Sequence, residues 1–169
     1  MLGKSQAGKT KLLVRYLFGS YEDAGTQTVM VDCSYVKRNN VKYAYYDTAG
    51  QEHYRTILNI YFKNSDAAVL MYSVDSMASF EELAYYHKKV IEEVPQCLIY
   101  IVGCKNDLKN EVPLELVTKT YKVHKYFLTS AKKNEGIAEL FHEVEHDLLA
   151  KNKMPSGSVL DNRFSMKKK

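Results

Sequence analysis

Hydrophobic positions in this chain form two patterns, uninterrupted runs and helical repeats. The runs AAVLMYSV at 67–74 and LIYIVG at 98–103 are typical of strands that are buried on both faces of a sheet. Apolar residues three and four positions apart predict an amphipathic helix over 136–151, and Ser79 is expected to cap another helix over 79–94. Shorter segments predict helices at 10–18 and 113–123, and strands at 32–37, 41–46 and 125–128. This alternation predicts an α/β fold with a mostly parallel sheet and helices on both of its faces.

The opening residues MLGKSQAGKT contain the pattern of a phosphate-binding loop. Gly3 and Gly8 allow the backbone to wrap closely round phosphate oxygens, and the helix that follows adds its positive dipole end. Lys9 is expected to neutralise the outer phosphates, and the hydroxyl of Thr10 is expected to bind Mg²⁺. The expected phosphate contacts are Gly3, Ser5, Gln6, Ala7, Gly8, Lys9 and Thr10. Taken alone, the stretch is also compatible with an ordinary glycine turn.

The stretch DTAGQE at 47–52 directly follows the predicted strand that ends in YAYY. Asp47 at the end of this strand can hold Mg²⁺ through water, and Gly50 can donate its N–H to a terminal phosphate. Gln51 can orient an attacking water molecule, which makes it the candidate catalytic residue. The alternative is a strand-to-loop turn, where Asp and Gly are common.

The stretch CKND, which begins at Cys104, follows the buried run LIYIVG. Asp107 is suited to accept two hydrogen bonds from the N1–H and N2–H₂ edge of guanine, and adenine has no donors in that pattern. The stem of Lys105 can lie along the plane of the base. Because Lys-x-Asp is frequent in turns, this signal is weak when it stands alone.

The stretch TSAK at 129–132 follows the short predicted strand 125–128. The backbone N–H groups of Ser130, Ala131 and Lys132 are candidates to reach the guanine carbonyl, with that of Ala131 as the main one. Taken alone, this fourth stretch is a weaker signal still. All four stretches occur in order, however, each at the end of a predicted strand. Their combination indicates a guanine-nucleotide site.

From Gly3 to about Leu149 the chain resembles a Ras-superfamily small GTPase, most closely of the Rab branch. The stretches DTAGQEHYRT, YFKNSDAAVLMYSV and SFEEL carry this resemblance together with the four motifs. It implies a small G domain of the P-loop class, with a six-stranded type of sheet, that binds GTP or GDP with Mg²⁺. It also implies that Thr28 is the first-switch threonine that binds Mg²⁺, and that Tyr21 packs on the guanine ring.

The resemblance further implies a molecular switch that hydrolyses GTP to GDP and phosphate. Two loops, roughly 21–32 and 49–62, would become ordered around the γ-phosphate through Thr28 and Gly50, and hydrolysis would release them. Since no candidate arginine finger lies in cis near the first switch, the intrinsic rate is expected to be slow, with a partner supplying the arginine.

The expected partners of these loops are effectors, an exchange factor and a GTPase-activating protein, and the expected role is in vesicle or membrane trafficking. No nucleic-acid partner is expected, and the chain is expected to be a monomer. Tyrosines near the effector region either form a contact surface or fill the core below it: Tyr35, Tyr43, Tyr45, Tyr46 and Tyr61.

Three positions depart from the family pattern. Cys104 replaces an asparagine that links the base to the phosphate loop, and a thiol is a weak donor and a weak acceptor. The loss is expected to cost roughly 1–3 kcal/mol, which weakens nucleotide binding about ten- to a hundredfold. Gln6 replaces a small residue and is expected either to crowd the loop or to require a positive φ, and His53 replaces an arginine.

Two other functions remain open beside the switch. A degenerate GTPase that binds nucleotide weakly or not at all would serve as an interaction scaffold, which Cys104 and Gln6 favour. A P-loop enzyme that uses ATP is disfavoured by Asp107 and the TSAK stretch.

Composition and charge predict the cellular compartment, the extent of the domain and the character of the C-terminal tail. The chain has 169 residues, three cysteines without a pairing pattern and a net charge of +4, which indicates one domain in a reducing, cytoplasmic compartment. The predicted domain covers 1–151, and 152–169 is a basic flexible tail that either contacts a peripheral endomembrane surface or is only solvated. The tail offers no cysteine for prenylation. Met1 and Leu2 are all that precedes the loop, so the first strand is nearly absent, and we expect Met1 to be an internal or misassigned start.

The stretch HEVEH at 142–146 matches the zinc-protease pattern His-Glu-x-x-His. His142 and His146 would share one helical face, as two ligands of one metal must. No third ligand is evident in the sequence, and the residues fall on the polar side of the predicted helix. A surface pair is therefore the favoured interpretation.

Overall fold

The computed structural model describes residues 1–22, 32–38, 40–48, 65–121 and 123–153. In chain order the elements are α1 (Lys9–Phe18), β1 (Asp32–Arg38), β2 (Val41–Asp47), β3 (Ala67–Ser73), α2 (Met77–Glu81), α3 (Leu83–Glu93), β4 (Leu98–Cys104), α4 (Leu114–Thr120), β5 (Lys125–Leu128) and α5 (Ile137–Lys153). The predicted α/β class is confirmed, because strands and helices alternate through the described residues. Within them, none of the helices combines the length and the apolar character that crossing a bilayer requires.

The strands form two sheets that the first two residues connect. Strands β3, β4 and β5 form a parallel sheet, and β1 pairs with β2 as an antiparallel hairpin. Leu2 forms a parallel bridge to β3: its N–H donates to Val69 O at 2.8 Å, and its carbonyl accepts from Met71 N at 2.7 Å. The ammonium group of Met1 donates to Tyr46 O of β2 at 2.7 Å. The continuous sheet of the prediction is therefore, in the described residues, a hairpin and a three-stranded sheet joined by two residues.

Two apolar clusters lie on opposite faces of the parallel sheet. Leu70 of β3 and Ile101 of β4 are fully buried in one cluster, where α2 and α3 pack. Their neighbours Met71 and Val102 are buried in the other, where α1 and α5 pack. Successive strand residues point to opposite faces, so a strand with both faces covered must be apolar throughout. This arrangement confirms the interpretation of the two uninterrupted runs and places helices on both faces.

The predicted helix over 79–94 is wrong at its start and in its continuity. The structure has two helices there, α2 and α3, which meet at Glu82. Ser76 caps α2, because its Oγ accepts from Ser79 N at 3.2 Å. Ser79 is buried, and its Oγ donates to Ser73 O at 3.2 Å, so this residue fixes α2 to the end of β3. The predicted helix over 113–123 is shorter and ends at Thr120.

A buried carboxylate connects the hairpin to the helices. Glu145 of α5 is 7% exposed, and its Oε1 accepts from the hydroxyls of Tyr16 at 2.7 Å and Tyr45 at 2.6 Å. The ring of Tyr16 stacks on the ring of Phe141 with 3.9 Å between their centroids. The guanidinium of Arg38 lies 4.8 Å from the centroid of the same Tyr16 ring. Burial and the contact with Glu145 raise the pKa of both tyrosine hydroxyls. The network positions β2, and therefore the residue at its end, against α1.

Three tyrosines of the hairpin divide between the two predicted roles, which are to form a contact surface and to fill the core. Tyr43 is buried and Tyr45 binds Glu145, so both belong to the interior. Tyr35 is 58% exposed, with the ammonium of Lys42 3.9 Å from its ring centroid. Only Tyr35 therefore offers a broad aromatic surface among these three, and Tyr61 lies outside the described residues.

Candidate functional site

Residues 3–8 form a loop between Leu2 and α1 that depends on positive φ angles. Gly3 has φ 146°, Gln6 has φ 65° and Gly8 has φ 104°. A Cβ on Gly3 would lie 2.0 Å from the carbonyl oxygen of Met71, so the loop rests directly on the backbone of β3. The positive φ expected at Gln6 is present, and its side chain is exposed and does not crowd the loop. Ser5 and Ala7 complete the loop, half-buried and buried respectively.

Lys9 places its ammonium inside this loop. Its Nζ donates to Gly3 O at 2.8 Å and to Lys4 O at 3.0 Å, and the residue is 5% exposed. Burial lowers the pKa of Lys9, and the nearby carboxylate of Asp47 acts in the opposite direction. The ammonium of Lys9 therefore lies within the loop that leads into the N-terminus of α1, and a helix N-terminus favours an anion.

Thr10 and Asp47 meet although 37 positions separate them in the sequence. The hydroxyl of Thr10 donates to Asp47 Oδ2 at 2.5 Å, and Asp47 is 3% exposed at the end of β2. A hydroxyl and a carboxylate are hard oxygen donors, which is the ligand type that Mg²⁺ prefers. These two residues therefore fit the proposed metal ion. Thr28, Gly50, Gln51 and His53 lie outside the described residues.

Cys104 ends β4 and packs against the loop. A Cβ on Gly8 would lie 3.5 Å from the Cβ of Cys104, and the side chain is 3% exposed. Burial raises the pKa of the Cys104 thiol to about 12, so the sulfur stays protonated at neutral pH. Its Sγ lies 3.9 Å from the carbonyl oxygen of Val102. The position is suited to connect two parts of a site, but a thiol supplies only weak hydrogen bonds.

Asp107 is held by the loop that follows β5. The hydroxyl of Ser130 donates to Asp107 Oδ1 at 2.6 Å and accepts from the N–H of Lys133 at 3.1 Å. This hydroxyl lowers the pKa of Asp107, so the group is a carboxylate at neutral pH. The preceding Lys105 has φ 59°, which turns the chain back after β4. The CKND and TSAK stretches, each a weak signal in the sequence, thus form one hydrogen-bond acceptor site (the acceptor site) with a fixed, half-buried carboxylate.

Arg15 connects this acceptor site to α1. Its Nε donates to Ala131 O at 2.8 Å, and its guanidinium lies 5.5 Å from the ring centroid of Tyr21. A further N–H of Arg15 contacts Lys132 O at 3.4 Å, and the ammonium of Lys11 lies 5.4 Å from the same tyrosine ring. Sequence reasoning missed Arg15, because an arginine in the last turn of a helix gives no sign of a partner 116 positions away.

Each part of the site follows the carboxyl end of a strand, where ligands of parallel sheets bind. The loop follows Leu2, Asp47 ends β2, Cys104 ends β4, and Ser130 comes two residues after β5. The arrangement combines an anion cradle, a pair of hard oxygen ligands and a carboxylate acceptor. Such a set can hold the phosphates, the metal ion and the donor edge of one nucleotide.

Comparison with known proteins gives the family of this chain. The model of the Ras family matches residues 1–150. The chain is 30% identical to the Ras-related protein Rab-24 of Dictyostelium discoideum, over all of this chain and 93% of that protein. It is 28% identical to Rab-13 of Canis lupus familiaris, over 90% of this chain and 79% of that protein. For Rab-19 of Bos taurus the identity is 29%, over 92% of this chain and 76% of that protein.

Proposed function

The chain belongs to the Ras family as a Rab-like small GTPase, and on this premise we propose that it is a guanine-nucleotide-binding switch of membrane trafficking. The observation that carries the proposal is the packing of the phosphate loop against the base-reading segment, with Gly8 against Cys104. This contact supports the inference that Lys9 and Asp107 line one continuous site. A nucleotide can then contact both residues at once.

The described residues have separate roles in nucleotide binding. Lys9 and the first turn of α1 bind the outer phosphates. Thr10 and Asp47 hold Mg²⁺, which neutralises charge on the phosphate oxygens. Asp107 accepts from the N1–H and N2–H₂ groups of guanine, and the N–H of Ala131 donates to the guanine carbonyl.

The hydrolytic and switching roles fall on residues outside the described part of the chain. We assign Gln51 to orient the attacking water, and Thr28 and Gly50 to follow the γ-phosphate. Tyr21, which lies within the described residues, is assigned to pack on the face of the base. Effectors, an exchange factor and a GTPase-activating protein would bind the two switch loops, and the activating protein would supply an arginine.

The nucleotide content of the purified chain tests the proposal. We expect close to one GDP per chain after purification in the presence of Mg²⁺, measured by chromatography of the nucleotide released on denaturation. GTP hydrolysis in a single turnover is expected to be slow without added protein. A nucleotide-free chain that also fails to bind added GDP would contradict the switch.

The weak donor capacity of Cys104 favours one second candidate, a degenerate GTPase that acts as an interaction scaffold. The buried, protonated thiol cannot supply the two good hydrogen bonds that an amide side chain would make at this position. A folded chain that binds a protein partner with unchanged affinity in the presence and absence of GDP and GTP would support this candidate over the switch.

Replacing Cys104 with asparagine is expected to raise the affinity for GDP about ten- to a hundredfold. The amide would add hydrogen bonds to the loop and the base, worth roughly 1–3 kcal/mol together. Titration with a fluorescent GDP analogue measures the change. Cys97→Ser is the matched control, because Cys97 is half-buried outside the site and its change should leave the affinity as it was. An unchanged or lower affinity in C104N would contradict the role given to this position.

A further inference from the structure

Three side chains with metal-binding groups converge on one turn of α5, away from the nucleotide motifs in the fold. Glu143, His146 and Asp147 each present one ligand atom, and these atoms lie within 4.8 Å of one another. The spacing i, i+3 and i+4 places them on one face of the helix. The Nδ1 of His146 lies 3.5 Å from Asp147 Oδ1.

Tyr100 of β4 and His124, the residue just before β5, orient the carboxylate of Asp147. The hydroxyl of Tyr100 donates to Asp147 Oδ2 at 2.9 Å, and the Nε2 of His124 lies 2.9 Å from the same oxygen. Both contacts are on Oδ2, whereas Oδ1 is the oxygen nearest to His146. Contacts behind a ligand that fix its orientation are typical of built metal sites.

A single ammonium group already occupies the space between the two carboxylates. Lys125 of β5 contacts Glu143 and lies 3.1 Å from Asp147 Oδ2. The two carboxylates and the one ammonium together leave one net negative charge among these three groups. The side chain of Lys125 is 34% exposed, so its ammonium can turn into solvent when it gives up its contacts with Glu143 and Asp147. The position therefore attracts cations, and a metal ion that binds there must displace the ammonium of Lys125.

We propose that Glu143, His146 and Asp147 bind a divalent transition-metal ion of the Zn²⁺ class. One imidazole with two carboxylates is a borderline donor set that suits Zn²⁺, whereas Mg²⁺ and Ca²⁺ take oxygen ligands. Tetrahedral Zn²⁺ at about 2.0–2.1 Å from its ligands needs them roughly 3.4 Å apart. His146 and Asp147 are already near that separation, and His146 is exposed enough to rotate. Water takes the fourth position.

The structure thus selects different ligands from those of the HEVEH pattern. His142 is exposed and is not among the clustered residues. Glu143, the general base of the zinc-protease pattern, lies instead among the ligands. The proposed site binds a metal ion through Asp147, which the pattern does not include.

Isothermal titration of the full chain with Zn²⁺ alone, at pH 7.5 in a non-chelating buffer, tests the proposal. We expect His146→Ala to weaken Zn²⁺ binding at least tenfold, and Lys125→Met to strengthen it because the competing ammonium is gone. His142→Ala is the matched control, one helical turn earlier on the same exposed face, and should bind as the native chain does.

The variants also distinguish the outcomes that would overturn the proposal. An equal loss in His142→Ala and His146→Ala would assign the ion to an exposed histidine pair. Unchanged binding in His146→Ala would place the ion elsewhere, for example on a cysteine. Absence of binding by the native chain and by Lys125→Met would exclude the site. His146 is exposed, so thermal melting of His146→Ala should match that of the native chain and show that lost binding is not lost folding.

Discussion

Replacing Asp107 with alanine is expected to lower the affinity of the chain for GDP at least a hundredfold. The carboxylate would accept two hydrogen bonds from guanine, and a bond to a charged group contributes about 1.5–3 kcal/mol. A loss of roughly 3 kcal/mol or more corresponds to a factor of about a hundred or more. The preference for guanine over adenine nucleotides should disappear with it, because Asp107 is the residue that we propose to distinguish the two bases. Competition titrations with GDP and ADP measure both effects.

Two controls separate the lost contact from a general disturbance of the site. Ser130→Ala removes the hydroxyl that donates to Asp107 at 2.6 Å but keeps the carboxylate. We expect a loss of about tenfold or less, because the carboxylate that contacts the base remains and loses only the hydroxyl that orients it. Asp66→Ala removes an exposed carboxylate just before β3 and should have no effect. If Asp107→Ala binds GDP as tightly as Asp66→Ala does, the base is read by other residues.

Replacing Gly3 with alanine is expected to reduce the free energy of unfolding by about 3 kcal/mol or more. The new Cβ would lie 2.0 Å from the carbonyl oxygen of Met71, a backbone atom that cannot move away freely. The φ of 146° adds strain for any residue with a side chain. Relief of the overlap must separate the loop from β3, which weakens the two hydrogen bonds that Leu2 makes there. Denaturation in urea, followed by circular dichroism, measures the change.

Gly19→Ala is the matched control for this substitution. Gly19 also has a positive φ of 67°, at the end of α1, but a Cβ there meets nothing within 4 Å. We therefore expect a loss of about 1–2 kcal/mol, from the backbone conformation alone. Equal losses in the two variants would show that the contact with Met71 does not constrain the loop.

The sequence by itself determined the class of the fold and the order of its motifs. The uninterrupted runs became β3 and β4, and the apolar face of the last helix, including Leu140 and Phe141, is buried as expected. The hairpin between Arg38 and Val41 was also visible, from polar turn residues between two apolar segments. Such features are local: they depend on the period of the side chains and on the backbone preferences of a few adjacent residues.

The position of each motif at the end of a strand was likewise readable, because parallel strands place their carboxyl ends together. The rule covers Cys104 and Ser130, which lie at or just after the carboxyl ends of β4 and β5, whereas Asp47 ends a strand of the antiparallel hairpin and meets Thr10 through tertiary packing. The rule predicts at which edge of the sheet a residue lies, but it does not predict which contact the residue makes there.

Only the tertiary structure decided those contacts. Ser76 and Ser79 are the same residue type three positions apart, and packing against Ser73 buries the second and leaves the first as the cap. The pairing of Arg15 with Ala131 joins residues 116 positions apart, which no local pattern encodes. For the same reason the HEVEH motif suggested His142 with His146, whereas the fold places Asp147 of the next turn and Lys125 of β5 in the charged cluster. Side-chain periodicity fixes which face of an element is buried, but the partner across a long stretch of chain is fixed only when the elements pack.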